Sequence, residues 1–287
     1  MIVKNGEKRD LVEEHVNSWI SQGVSQIECA RRVIDLFVVS VLLDAGAGSK
    51  WKYIDDKTGL ELKRTEGLGI ASLRMYEDGY FSSDPENPFR VDYFLMKGSD
   101  NERVSVCSLW EVISIGLLDV WPKAGAELSG KSLGDAWVCK LLEKKGVSCD
   151  GVSPSGIVPF HKLSMWLTWS LTEVLSRVGS IEVLDLAMLT GLPEYRNGGL
   201  LVDMGVIGFK SDFENKFKGK VVVQGEDNTP LYEVDSEIIV QWRCLTIVVL
   251  DKLHDIMTET LGVDKNTFTL SMLLEGGTWK VNIFLVC

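Results

Sequence analysis

The densest run of chemistry-bearing residues is Leu189-Thr-Gly-Leu-Pro-Glu-Tyr-Arg-Asn-Gly-Gly-Leu-Leu-Val-Asp203. Glu194, Arg196, Asn197 and Asp203 crowd there into a stretch shaped by proline and glycine. Glycine lets a backbone approach a ligand closely, and polar groups of mixed sign beside apolar sequence need partners. Two readings follow. The segment is a structural salt-bridge cluster, or it is a pocket whose carboxylates serve as acid or base. Gln241 and Arg243 form a second concentration, beside apolar positions near the start of a long helix. An unpaired polar group there is costly, so their partners must come from the Glu194–Asp203 segment or from a ligand. His161 follows Pro159-Phe160 and opens a stripe with Met165, Thr168 and Thr172. It is a structural histidine at a helix start or a proton donor.

Other chemistries find little support. Asp44-Ala-Gly-Ala-Gly48 suggests a phosphate loop, but it lacks the G-x-G-x-x-G opening and the G-K-[ST] ending, and it follows a helix rather than a strand. A glycine turn closing that helix is the alternative. The histidines (His15, His161, His254) have no H-x-x-H or H-E-x-x-H spacing, and G-x-S-x-G is absent, so no metal site, metallohydrolase or serine hydrolase is expected.

Composition narrows the class. The 287 residues are 45% hydrophobic and 25% charged, with 30 Lys+Arg against 41 Asp+Glu and a net charge of −11. Gly (27) and Pro (7) are too few for a collagen-like or low-complexity chain. The acidity argues against capture of nucleic acid or anionic lipid, while leaving room for one local basic pocket. The cysteines (Cys29, Cys107, Cys139, Cys149, Cys244, Cys287) form no C-x-x-C pair, and Cys29 and Cys244 fall in apolar-periodic stretches. They are expected to be reduced, as in an intracellular protein. The charged N-terminus has no signal-peptide core, and the longest apolar run, Leu36 to Leu43, is too short to span a bilayer, so a cytoplasmic location is expected.

The helical period supplies the elements that must position these groups. Cys29, Val33, Leu36, Ser40 and Leu43 follow a 3.6-residue repeat, and the stretch from Ile27 to Leu43 is apolar on more than one face, which predicts a buried helix ending at Asp44–Gly48. Residues 51–63 read as a short hairpin, followed by a helix from about Glu66 to Tyr76 that stops near Gly79. Ser82 to Pro88 is a loop, Met96 to Arg103 is aperiodic, and Ser108 to Leu118 is a helix ended by Pro122. After a loop at Gly146–Gly156 comes a strong helix from Phe160 to Val178, with Phe160, Leu163, Leu167, Leu171 and Val174 on one stripe. Short strands are expected within Arg196–Phe209 and Phe213–Thr229. The longest helix runs from Asp235 to Leu261, capped by Asp235 or Ser236. With no repeat, heptad run or linker, the expectation is one mainly α domain over residues 1–287 with a few short strands.

Several blocks carry a family resemblance. They are Val38-Val-Ser-Val-Leu-Leu-Asp-Ala-Gly-Ala-Gly48, Ser72-Leu-Arg-Met75 with Phe81-Ser-Ser-Asp84, Val158-Pro-Phe-His-Lys-Leu-Ser164, Leu189 to Gly199, Gln241-Trp-Arg-Cys-Leu-Thr246 and Leu274-Glu-Gly-Gly-Thr-Trp279. In these, and in their order, the chain resembles the uracil catabolism protein family of fungi, plants and bacteria, long described as a domain of unknown function. The blocks cover residues from about 25 to 279. The resemblance implies a late step of pyrimidine degradation, namely cleavage of an N-glycosidic bond in a ribosylurea-type intermediate with release of urea. Such a reaction passes through an oxocarbenium-like state that wants a carboxylate and an activated water, and it implies no metal or cofactor. A fold-level analogy with helical glycosidases points the same way.

On that resemblance, the catalytic candidates are Asp44, Glu194, Asp203 and His161. The substrate-binding candidates are Arg74, Arg196, Asn197, Gln241, Trp242 and Arg243, holding a small nucleoside- or ribose-phosphate-like substrate, with no nucleic acid or membrane as partner. Beside the family the chain reads as a shortened member, with an atypical tail at 280–287. Gln241 stands where the family usually has Glu, and an amide cannot act as a base. A non-catalytic binding or regulatory protein of the same pathway, or a degenerate paralogue, is the alternative.

Overall fold

The computed structural model describes residues 2–4, 7–47, 51–84, 88–90, 103–118, 120–121, 123–146, 156–210, 223–224 and 230–279. Helices dominate: α1 (Leu11–Ser21), α2 (Gln26–Ala47), α3 (Arg64–Glu77), α4 (Val106–Glu111), α5 (Lys140–Lys144), α6 (Lys162–Arg177), α7 (Tyr195–Asp203), α8 (Glu237–Leu261) and α9 (Leu270–Leu273). Among the described residues every sheet has two strands. No described helix is long and apolar enough to cross a membrane. The chain packs as two compact units: Met1–Ile113 with Trp166–Asp185, and Ser114–Met165 with Leu186–Cys287.

The first unit is built on α2. Its residues Cys29, Val33, Leu36, Val38 and Val41 are all buried, on more than one face, as the apolar pattern demands. The helix continues through Asp44 to Ala47, ending within the expected Asp44–Gly48 stretch, and Gly48 lies outside the described residues. Asp10 caps α1 by accepting from the amides of Val12 (3.1 Å) and Glu13 (3.2 Å). The hairpin pairs Lys52–Ile54 with Glu61–Lys63, antiparallel, and leads directly into α3. Gly67 permits that turn, because a Cβ there would stand 2.8 Å from the Leu62 carbonyl carbon and 3.0 Å from the Trp51 ring. Leu36, Leu73 and Tyr76 form the local core, and the Tyr76 hydroxyl shares its single hydrogen between the carbonyls of Arg32 and Phe89. Ile2–Lys4 pairs antiparallel with Glu7–Arg9, and a parallel pair, Arg103–Ser105 with Glu182–Leu184, completes the described strands of this unit.

In the second unit, Ala136–Val138 pairs antiparallel with Ile157–Pro159 and lies against α8. Cys139, Phe160 and Val240 form a buried cluster, joined by Trp137, Val158, Cys244 and Ile247. In α8 the buried stripe is Val240, Arg243, Thr246, Leu250, His254 and Thr258, a spacing of three and four. The helix ends at Gly262, whose φ of 67° lies in the left-handed region. Ser236 precedes α8, but its side chain accepts no capping hydrogen bond from the helix amides.

One expectation is overturned. The Gly-rich stretch predicted to hold a strand within Arg196–Phe209 is helical over Tyr195–Asp203. Glycine weakens both element types locally, so the outcome is decided by capping and packing. Here Glu194 caps the helix with both carboxylate oxygens. Of the second predicted strand region, Val223–Gln224 does pair with Pro230–Leu231. The rest of that region, most of Met96–Arg103 and of Gly146–Gly156, Pro122, Cys149 and the 280–287 tail lie outside the described residues.

The Tyr76 side chain is 1% exposed, so removing its hydroxyl strands buried carbonyls. Tyr76→Phe should lower stability by about 1–3 kcal/mol. A shifted urea midpoint with an unchanged slope would show this.

Candidate functional site

A guanidinium on the buried stripe of α8 must be met by acceptors, and Arg243 is 8% exposed. Its Nη1 and Nη2 each donate to a different oxygen of Asp135, both at 2.7 Å, in a bidentate fork. Its Nε donates to the Pro193 carbonyl at 3.1 Å, and its Cζ lies 4.1 Å from the centroid of the Phe160 ring. Three separate segments are thereby tied to one side chain.

Asp135 is equally committed. Besides Arg243, its Oδ1 accepts from Trp137 Nε1 at 2.7 Å and its Oδ2 from the Lys162 amide at 2.9 Å. Its carbonyl accepts from the amides of Phe160 (2.8 Å) and His161 (3.0 Å). Burial pushes the Asp135 carboxyl up, but the hydrogen bonds and charge of Arg243, with Lys162 and Trp137, hold it below the usual carboxylate range. An ionised carboxylate with four donors is an anchor, poorly suited to exchange protons.

His161 sits on the turn this anchor creates, with a φ of 44°, in the left-handed region that non-glycine residues seldom occupy. The two converging amide bonds to the Asp135 carbonyl hold that conformation, and α6 starts at the next residue. Burial pushes the His161 imidazole down, only partly opposed by the Asp135 charge. It is therefore neutral at pH 7, with one ring nitrogen as donor and the other as acceptor.

The Leu189–Asp203 segment is fastened from three sides. Arg243 takes the Pro193 carbonyl. Asn197, fully buried, donates Nδ2 to the Leu192 carbonyl at 2.9 Å, and its Oδ1 accepts from Thr278 Oγ1 at 2.6 Å. Trp242 Nε1 donates to the Gly198 carbonyl at 3.1 Å. A Cβ on Gly198 would lie 2.5 Å from Trp242 Cε2 and 2.7 Å from Thr246 Oγ1, so this position must be glycine for α7 to seat against α8. Glu194, half-buried, accepts from the amides of Arg196 (2.8 Å) and Asn197 (2.9 Å) as the cap of α7.

The ten predicted site residues thus divide. Glu194, Asn197, Trp242 and Arg243 belong to one network, and His161 joins it through Asp135. Arg196 is half-buried at the start of α7, its Nε donating to the Tyr195 hydroxyl at 3.3 Å. Gln241 donates to Glu237 Oε1 at 2.7 Å, one turn earlier on α8, rather than to the Glu194–Asp203 segment. Asp203 is exposed at the opposite end of α7 from Glu194, roughly 13 Å along the axis at 1.5 Å per residue. Asp44 and Arg74 belong to the first unit. There Asp44 accepts from Thr65 Oγ1 at 3.3 Å, and Arg74 is paired with Asp55 and Glu77. Asp135 was missed, because it stands 108 positions from Arg243 in an unremarkable Gly-rich stretch. The only signal was the unmet charge of Arg243 itself.

A family model described as "Protein of unknown function (DUF1688)" matches residues 4–97 and 91–282. The chain belongs to this family. Among relatives of this DUF1688 chain, Protein urg3 of Schizosaccharomyces pombe is 32% identical over 317 residues, covering 92% of this chain and 72% of that protein. Uracil catabolism protein 4 of Lachancea kluyveri is 30% identical over 335 residues, covering 94% of this chain and 75% of that protein. No solved structure matches the DUF1688 chain significantly. The resemblance carried by the quoted sequence blocks is therefore confirmed at the level of the family.

Two outcomes test this geometry. Arg243→Leu leaves the Asp135 carboxylate without its fork and should destabilise the protein by about 3 kcal/mol, measured by urea unfolding. Because the folded state resists protonation of His161, the unfolded state binds that proton first as the pH falls below about 6.5. His161 therefore makes the protein less stable as the pH falls through about 6.5. His161→Asn, which tolerates the left-handed backbone, should flatten the stability–pH slope in that window relative to wild type.

Proposed function

We propose that the chain acts in uracil catabolism as a hydrolase that cleaves the N-glycosidic bond of a ribosylurea-type intermediate. The observation that carries this reading is the likeness, over 94% of the chain, to a protein named Uracil catabolism protein 4. In this reaction the oxygen of water bonds to the anomeric carbon as the carbon–nitrogen bond breaks. One proton of the water goes to a base, and the departing nitrogen gains a proton as urea leaves. Glu194 is assigned as the base. Its two oxygens each accept one amide, and a carboxylate oxygen has a second lone pair to offer a water. His161, being neutral, is assigned to orient the departing urea through its ring N–H as a hydrogen-bond donor, and solvent returns the proton to the leaving nitrogen. Arg196, at the start of α7, is assigned to grip the substrate.

A second reading is favoured by a specific observation: Asp135, Asn197 and Gln241 have polar side-chain groups committed to internal hydrogen bonds. That pattern suits a binding or regulatory protein of the same pathway, with rigidity in place of turnover.

The full-length protein mixed with ribosylurea or its phosphate should release urea above an enzyme-free blank. Glu194→Gln should reduce that rate by about 100-fold or more. Gln241→Glu, which sets a second carboxylate beside Glu237, should raise it if that position can supply a base. No urea from either the wild type or Gln241→Glu would sink the hydrolase and leave the binding reading.

A further inference from the structure

The first unit contains an open cavity of about 430 Å³, distinct from the network around Arg243, lined by Arg9, Leu11, Glu14, His15, Ser18, Lys57, Thr58, Arg74 and Glu77. Its focal group is Glu77, whose side chain is 11% exposed. The Glu77 carboxylate accepts from Lys57 Nζ at 2.5 Å and Arg74 Nη1 at 2.9 Å, and bonds to His15 Nε2 at 2.7 Å. Arg74 is braced from behind by Asp55, which is fully buried, through Nε at 2.9 Å and Nη2 at 3.3 Å. On the opposite flank Arg9 pairs with Glu14 at 2.5 Å.

The charge arithmetic of this wall is unusual for a chain of net charge −11. Arg9, Lys57 and Arg74 face Glu14 and Glu77 there, and the buried Asp55 behind Arg74 brings the three cations and three carboxylates into balance before His15 is counted. The wall is therefore locally neutral, and an entering anion must draw cations away from their present carboxylates. Arg9 and Lys57 are each 57% exposed on long, flexible stems, and ion pairs at that exposure contribute little, so both heads can turn from their carboxylates to an incoming anion. Arg74, held by Asp55, stays fixed as the floor. Among the described lining residues Leu11 is the only apolar side chain, while Ser18 and Glu14 offer hydroxyl and carboxylate partners that suit alcohols, and the Thr58 hydroxyl, whose hydrogen goes to Asp55 at 2.6 Å, can accept from one. The volume falls within the range of small-molecule sites.

We propose that this cavity binds a phosphate monoester of a small polyol, with Arg9, Lys57 and Arg74 taking the phosphate and Glu14, Ser18 and Thr58 the hydroxyls. The assignment stands apart from the hydrolase reading of the second unit. It is tested by titration calorimetry of the full-length protein with sorbitol 6-phosphate, sorbitol and sulfate. Sorbitol 6-phosphate should bind saturably and more tightly than sulfate, sulfate should compete with it, and sorbitol should bind least. The double variant Arg9→Met/Lys57→Met, which alters exposed side chains only, should lose about tenfold or more in affinity. Lys57→Arg should retain binding, and Arg243→Leu and Glu194→Gln should not alter it. No saturable binding at millimolar ligand, or full affinity in the double variant, would overturn the site. Equal affinity for sulfate and the polyol phosphate would overturn the ligand class.

Discussion

The second unit depends on a guanidinium that its own helix cannot satisfy. Arg243 occupies a position of α8 where its neighbours along the stripe are Val240, Thr246 and Leu250, all buried. Removing such a charge from water is tolerable only if acceptors replace the solvent with good geometry. Asp135, the Pro193 carbonyl and the face of Phe160 do so together. Because those acceptors come from three distant parts of the sequence, meeting the charge also fixes their mutual placement. The strand pair beside α8, the turn that starts α6 and the lead-in to α7 are each defined relative to one side chain.

This economy shapes what chemistry remains. The groups nearest Arg243 are anchors: Asp135 is filled by donors, and Asn197 bridges Leu192 and Thr278. The remaining candidates lie one step outward, on the elements that the anchors hold. Glu194 caps α7, and His161 sits on the turn under Asp135. An ordered interior that presents a carboxylate and a neutral imidazole at its margin is an arrangement that both a hydrolase and a specific binder can use. The family relationship weighs toward the pathway, and the margin is where the two differ.

Much of the helical architecture was legible in the sequence because the 3.6-residue period of α2, α6 and α8 is strong and the hairpin at 52–63 is local. The need of Arg243 for a partner was legible too, since a charge on an apolar stripe is a visible contradiction. The identity of that partner was not, because a long-range ion pair leaves no mark on the sequence near Asp135. Gln241 posed the same contradiction and resolved it within one helical turn through Glu237, which local spacing alone could not distinguish from a tertiary contact. The stretch 195–203 was misread for a related reason. Its glycines speak against regular structure locally, whereas the bonds from Trp242, Arg243 and Thr278 that decide the matter are all tertiary or from neighbouring elements. Asp44 and Arg74 were grouped with the others by chemistry, but they are held within the first unit by Thr65, Asp55 and Glu77.

The paired glycines of α7 have a thermodynamic consequence. Nine residues containing Gly198 and Gly199 have little intrinsic tendency to stay helical, and each glycine weakens a helix by about 1 kcal/mol relative to alanine. The helix persists because its neighbours hold it, so its opening free energy is set by those contacts rather than by its own hydrogen bonds. Whatever loosens those contacts releases α7, while the longer α8 keeps its own hydrogen bonds. The amides of α7 would then exchange with solvent well before those in the middle of α8. The cap residue Glu194 would share that excursion, making the order of this short helix a variable that a bound molecule could set.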